Sequence, residues 1–306
     1  MAESSCSIED VYREFVTINS YFGEEKEQNE TITLKYKEEI HKYCHYENIS
    51  EKGNCNNEYF KMTSSGVIYL LENLKKYGLD DDKIADYAIL WLSYKLKIKE
   101  KNLVNKLSDF YNSYIETNND YNKNINGNDG PTYKEIIDKK KDLMDMNISE
   151  IFKLEAPFNI LYFLYYEISD VAVDCKKNLS IANNFAKEFE KLNNDSNNKE
   201  NSLYTQILST LSNDYKNLKK KCPQFQSISE IKRSQSSAEN SVKVSEQPTV
   251  LIPEATPSSS SILNTVIPVL STFSVISLFL GVSYKYSLFG FGKRSQKRYL
   301  RENIKK

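Results

Sequence analysis

Apolar positions recur every three or four residues along most of the first two-thirds of the chain, a spacing that predicts helices. Ile8, Val11, Tyr12, Phe15 and Phe22 follow one such stripe, with Ser7 and Asp10 resembling a capping box at its start. A second helix is expected through TITLKYKEEIHKYC, residues 31–44. A third runs through SSGVIYLLENLKKY and stops at Gly78, a natural residue just past a helix end. Asp80 to Asp82 cap a fourth, in which Ile84, Tyr87, Ala88, Trp91 and Leu92 share a face. A fifth follows Leu103, Leu107, Phe110, Tyr111 and Tyr114. Asn118 to Gly130 (NNDYNKNINGNDG) reads as a polar loop. Helices are expected to resume at Pro131, a favoured first-turn residue, and again at Pro157. Tyr204, Ile207, Leu208, Leu211, Tyr215 and Leu218 form a last stripe, ended by Pro223. FNILYFLYYEI (158–168) is the most apolar stretch of this body, but its eleven residues are too short to span a bilayer, so it reads as core helix. No alternating strand pair stands out. The expectation is an all-α domain over residues 1–225, large enough to bury its own core.

The pattern vanishes between residues 226 and 261. This segment is rich in Ser, Pro and Glu and has no aromatic residue, so it reads as a disordered stalk. Residues 262–284, ILNTVIPVLSTFSVISLFLGVSY, carry no charge. At about 1.5 Å per residue this run reaches about 34 Å, enough for a single transmembrane helix. Tyr284 and Tyr286 fall where an aromatic belt lies, and Lys285 can snorkel. Residues 285–306 form a basic tail, with Lys285, Lys293, Arg294, Lys297, Arg298, Arg301, Lys305 and Lys306 against Glu302 alone, or +7. The net charge of −1 therefore conceals an acidic body, with 33 bases against 41 acids in residues 1–284.

The positive-inside bias places the tail in the cytoplasm, against an anionic inner leaflet, and the body outside or in a lumen. The start, MAESSCSIEDVYREF, has neither the basic nor the apolar region of a cleaved signal. A span so near the C-terminus also permits insertion as a tail anchor. The body would then be cytosolic, as in an intracellular scaffold or trafficking adaptor.

The five cysteines, Cys6, Cys44, Cys55, Cys175 and Cys222, are widely spaced with no CxxC pair, which disfavours a zinc ribbon or thioredoxin-like motif. For a body outside the cell, two disulfides and one spare thiol fit the count. Four paired cysteines allow three connectivities, and spacing does not choose among them. In HKYCH, His41 and His45 would share a helical face, a spacing that can ligate zinc. Cys44 points off that face and HExxH is absent, so no metal site is expected. These are the only 2 histidines, so histidine-based catalysis has almost no raw material. No Walker A or GxGxxG loop is present, and an acidic body disfavours nucleic acid. The chain reads as no enzyme, with no cofactor and no small-molecule substrate.

Several segments carry a resemblance: DYAILWLSYKL (86–96), LSDFYNSYI (107–115), QILSTLSNDYKNLKKKC (206–222) and the run from IPVLSTFSVISLFLGVSYKYSLFGFGKRS through LRENIKK. Through them the chain resembles the Plasmodium interspersed repeat (PIR; Cir/Bir/Yir) variant antigens of rodent malaria parasites. The resemblance implies a multigene family of infected-erythrocyte or parasite-surface proteins. Such proteins have a helical ectodomain, one span and a short cytoplasmic tail. It also implies antigenic variation, immune evasion and adhesion to host cells, with an antibody or host receptor as partner, and it attaches no catalytic residue. Family members carry further cysteines, near the positions of Val67 and of Phe158 to Tyr166, that this chain lacks. On this reading loops such as 118–130 are exposed and variable, while Trp91, Leu208 and Leu211 hold the scaffold.

Overall fold

The computed structural model describes residues 7–26, 31–46, 53–99, 104–125, 127, 129–169, 175–199 and 202–232. The stalk, the span and the basic tail lie outside the described residues, as do Cys6, Leu103, Lys285, Lys293, Arg294, Lys297, Arg298 and Arg301. Among the described residues no helix is long and apolar enough to cross a membrane.

Helix α1 (Ile8–Asn19) buries Val11, Tyr12 and Phe15 of the expected stripe together with Ile18, and leaves Ile8 half-buried. Its start differs from the expected capping box. The Ser7 hydroxyl donates to Glu9 instead of accepting from the helix. Phe22 lies beyond α1, at the head of a hairpin.

That hairpin corrects two expectations. Strands β1 (Phe22–Lys26) and β2 (Ile32–Tyr36) pair antiparallel, Phe22 opposite Tyr36 and Lys26 opposite Ile32. Residues 31–44 are thus not one helix. They are β2 followed by a 3-10 turn over Glu38–Tyr43. The alternation Ile32, Leu34, Tyr36 with β-branched Thr31 and Thr33 already carries a strand signal, outweighed in the sequence by the helix-forming KEEIHK that follows.

Helix α2 (Tyr59–Lys75) begins earlier than its apolar run suggests. The chain then turns at Gly78, whose φ of +73° and bond to the Lys75 carbonyl fit a residue past a helix end. Helix α3 (Asp81–Ile98) is capped by Asp80, which accepts from the Lys83 amide at 2.8 Å. Every residue of α3 from Ile84 to Leu96 is buried. What reads in sequence as one apolar face is a helix covered all round by α2, α5 (Tyr133–Asp138), α7 (Ile148–Ser169) and α9 (Leu203–Lys221). Gly66 of α2 lets the axes approach: a Cβ there would sit 2.4 Å from the Trp91 ring. Trp91 in turn donates to Asn19 of α1 at 3.0 Å.

Helix α4 (Leu107–Phe110) passes into a π-helical turn over Tyr111–Ile115. The polar loop that follows is not wholly exposed. Asn119–Asn122 form a 3-10 turn in which Asp120 and Tyr121 are buried, as is Asn118 before it. Tyr121 points inward and donates to the Ser64 carbonyl at 2.9 Å. Thr132, not Pro131, caps α5, sharing a reciprocal capping box with Glu135. After α6 (Lys141–Met144), α7 begins at Ile148 and carries Pro157 in its interior, so no helix starts at Pro157. The expected core helix within it is present, with Phe158, Leu161, Leu164 and Tyr165 buried. Helix α8 (Leu179–Asn193) has no counterpart among the sequence expectations, although Ala182, Phe185, Ala186 and Phe189 sit at helical spacing. All six residues of the α9 stripe are buried.

Candidate functional site

Two clusters gather the chain's chemistry-bearing side chains. The first is a corner where the 3-10 turn meets α2. Cys44 is bonded to Cys55 there, and Cys175 is bonded to Cys222 just past the end of α9. His41 does not join His45 in a metal site: its Nδ1 accepts from the Cys55 amide at 3.1 Å. His45 instead sets Nδ1 2.7 Å from Asp120, and its backbone N–H donates to the same carboxylate. Lys123 completes that carboxylate's shell at 2.5 Å. The expected polar loop is thereby tied to the disulfide corner through one buried acid. Gly53 closes the corner at φ +72°, where a Cβ would meet the His41 carbonyl at 2.2 Å. Among the described residues no group of three or more His, Cys, Asp or Glu is placed to hold a metal.

The second cluster lies where α1, α3, α7 and α9 meet. Asp214 is fully enclosed and accepts from Tyr12 of α1 and Tyr87 of α3, each at 3.0 Å. Tyr165 of α7 donates to the Asp214 carbonyl at 2.7 Å and stacks on Tyr12 with ring centres 4.2 Å apart. Burial pushes the Asp214 carboxyl up to about 7, with the Lys83 charge and the two tyrosine hydroxyls opposing. One turn away Lys140 pairs with Asp86 at 2.9 Å, and Thr210 donates to the other oxygen of that carboxylate at 2.7 Å. Lys83 then donates to the Thr210 hydroxyl at 2.7 Å. On the hairpin side, Lys95 lies 3.8 Å above the Phe22 ring and donates to the Phe22 carbonyl at 3.1 Å. Burial lowers its ammonium to about 7, against a partial pull upward from Glu24. These groups lock helices together. Asp214, Asp86 and Lys95 are each under 5 % exposed, so no solvent-borne substrate reaches them.

The sequence matches, over residues 12–285, the profile of a family described as Plasmodium variant antigen protein Cir/Yir/Bir. The chain belongs to this family of Plasmodium variant antigens. No curated protein matches the chain. A solved chain described as the structure of a Plasmodium PIR protein ectodomain is 31% identical, with a TM-score of 0.53. The similarity covers 74% of this chain and 100% of that one. Membership in Cir/Yir/Bir, with a largely helical fold, is therefore established, and the family is one of variant antigens.

The described site residues fall into three sets. Cys44 with Cys55 and Cys175 with Cys222 are brought together, while His41 and His45 are parted. Asp120, Asp214, Asp86, Lys140 and Lys95 are absent from the residues that the sequence pattern points to. Two of them carry a signal, a charge set within an apolar run: Asp86 between Ala85 and Tyr87, Lys95 between Tyr94 and Leu96.

Proposed function

We propose that this chain is a single-pass surface antigen whose helical domain faces the oxidising side of a membrane, on the infected erythrocyte or the parasite. The observation that carries this reading is the pair of disulfides. A cytosolic scaffold would have to hold four thiols oxidised in a reducing compartment. Two further facts support it: the relative is an ectodomain, and the uncharged run at 262–284 with its basic flank gives an anchor that leaves the tail inside. Antigenic variation follows from exposure, since outward side chains change without disturbing a packed interior. Adhesion to a host receptor is the narrower form of the same role.

Antibodies raised against residues 1–225 should stain intact infected cells. Staining that needs permeabilised membranes would place the domain on the wrong side and overturn the proposal.

A further inference from the structure

The segment after α9 makes one turn, in which the Phe225 N–H donates to the Cys222 carbonyl at 3.0 Å, and beyond it neither coils nor pairs, yet it is held along the domain. Cys222 and Phe225 are buried and Ile228 and Ile231 half-buried, while Pro223, Gln224, Gln226, Ser227, Ser229 and Glu230 are exposed. From Phe225 through Ile228 to Ile231, one inward residue in three is the period of an extended, unpaired chain. Phe225 ends an aromatic column: its ring stacks on Tyr215 at 6.5 Å, Tyr215 on Phe185 at 4.3 Å, and Phe185 on Phe189 at 6.1 Å. Tyr215 also donates to the Gln226 carbonyl at 2.8 Å.

At the other end Asn193 of α8 acts as a clamp. Its amide donates to the Glu230 carbonyl and its oxygen accepts from the Lys232 N–H, both at 2.9 Å. Ser229 donates to Glu190 at 2.9 Å. The segment therefore runs along α8 from the Cys175–Cys222 bond to the α8–α9 turn.

We infer that residues 223–232 are a releasable strap: tension entering from residue 233 onward peels it off the α8–α9 seam, and the Cys175–Cys222 bond stops the peel before it reaches α9. The order of release follows from what holds each part. The strap has one fully buried ring and a row of side-chain bonds, whereas α9 buries Tyr204, Ile207, Leu208, Leu211, Tyr215 and Leu218. The least enclosed segment opens first. Once it has opened, the load passes through the disulfide to Cys175, and α9 is bypassed. Only the source of the tension rests on the membrane reading above. Release itself is a property of the domain wherever it resides.

The test stretches the full oxidised chain by tags at its two ends. A first extension is expected before the core gives way, limited to the ten strap residues, or up to about 35 Å. The pair Cys175→Ser and Cys222→Ser should lengthen it as the last turns of α9 follow, and Phe225→Ala should lower its force at unchanged length. A single all-or-none unfolding, or a first extension that the paired serine variant leaves unchanged, overturns the inference. Hydrogen exchange on the unaltered oxidised chain tests it independently. The bonded amides of Phe225, Ser229 and Lys232 should exchange at least about 100-fold faster than central α9 amides, and equal protection overturns it. A failure of the surface assignment would appear in cell staining and leave both readouts intact.

Discussion

Burial acts on Asp214 and Lys95 in opposite pH windows. The folded Asp214 carboxyl, at about 7, stands above its usual 3.8, so between those values the native state holds a proton the unfolded chain has released. Its contribution to stability therefore falls as pH rises through that window. Glu155, raised by burial against the pull of Lys97, adds in the same direction. The Lys95 ammonium, at about 7, stands below its usual 10.5, so the unfolded chain binds the proton more readily and stability rises from neutral toward alkaline pH. Together these groups predict a stability minimum near pH 7. Urea midpoints at pH 5, 7 and 9 check it, with Asp214→Asn flattening the acid limb and Lys95→Met the alkaline one. A maximum at pH 7 that neither substitution alters would refute the assignment. The acid limb cannot be read from the sequence. Asp214 in LSNDYKNL looks like any polar position, and only the meeting of four helices removes its water.

At the scale of elements, the two disulfides close loops of different length. Cys175 and Cys222 are 47 residues apart, Cys44 and Cys55 only 11. Chain entropy assigns about 4 kcal/mol to the longer loop and about 3 kcal/mol to the shorter. Replacing each pair by serine should therefore lower the denaturation midpoint more for Cys175 and Cys222, and the reverse order would mean that native packing dominates. Legibility divides along similar lines. The Asp80 cap and the Tyr204–Leu218 stripe were plain because each rests on contacts within one helix. The hairpin was hidden, since Ile32, Leu34 and Tyr36 become a strand only through pairing with Phe22–Lys26. Residues 118–122 look solvated by composition, and the Asn118–Tyr43, His45–Asp120 and Tyr121–Ser64 bonds turn them inward. The count of cysteines was visible, and their partners were not.

For the whole molecule, family membership and the charge division meet in one expectation. The full chain should stay with membranes through an alkaline wash, and a chain lacking residues 262–306 should appear in the supernatant. Should both fractionate alike, the uncharged run is not an anchor.

Helix α3 bears on how such a family diversifies. A rod enclosed on every side offers an antibody nothing to grip, so altering it brings no escape and only spoils its fit with four neighbours. If the domain faces the host as proposed, pressure from the host then falls on the outer coat alone. Two chains whose inward faces on α2, α5, α7 and α9 match can then differ across the rest of the surface and still exchange this central rod.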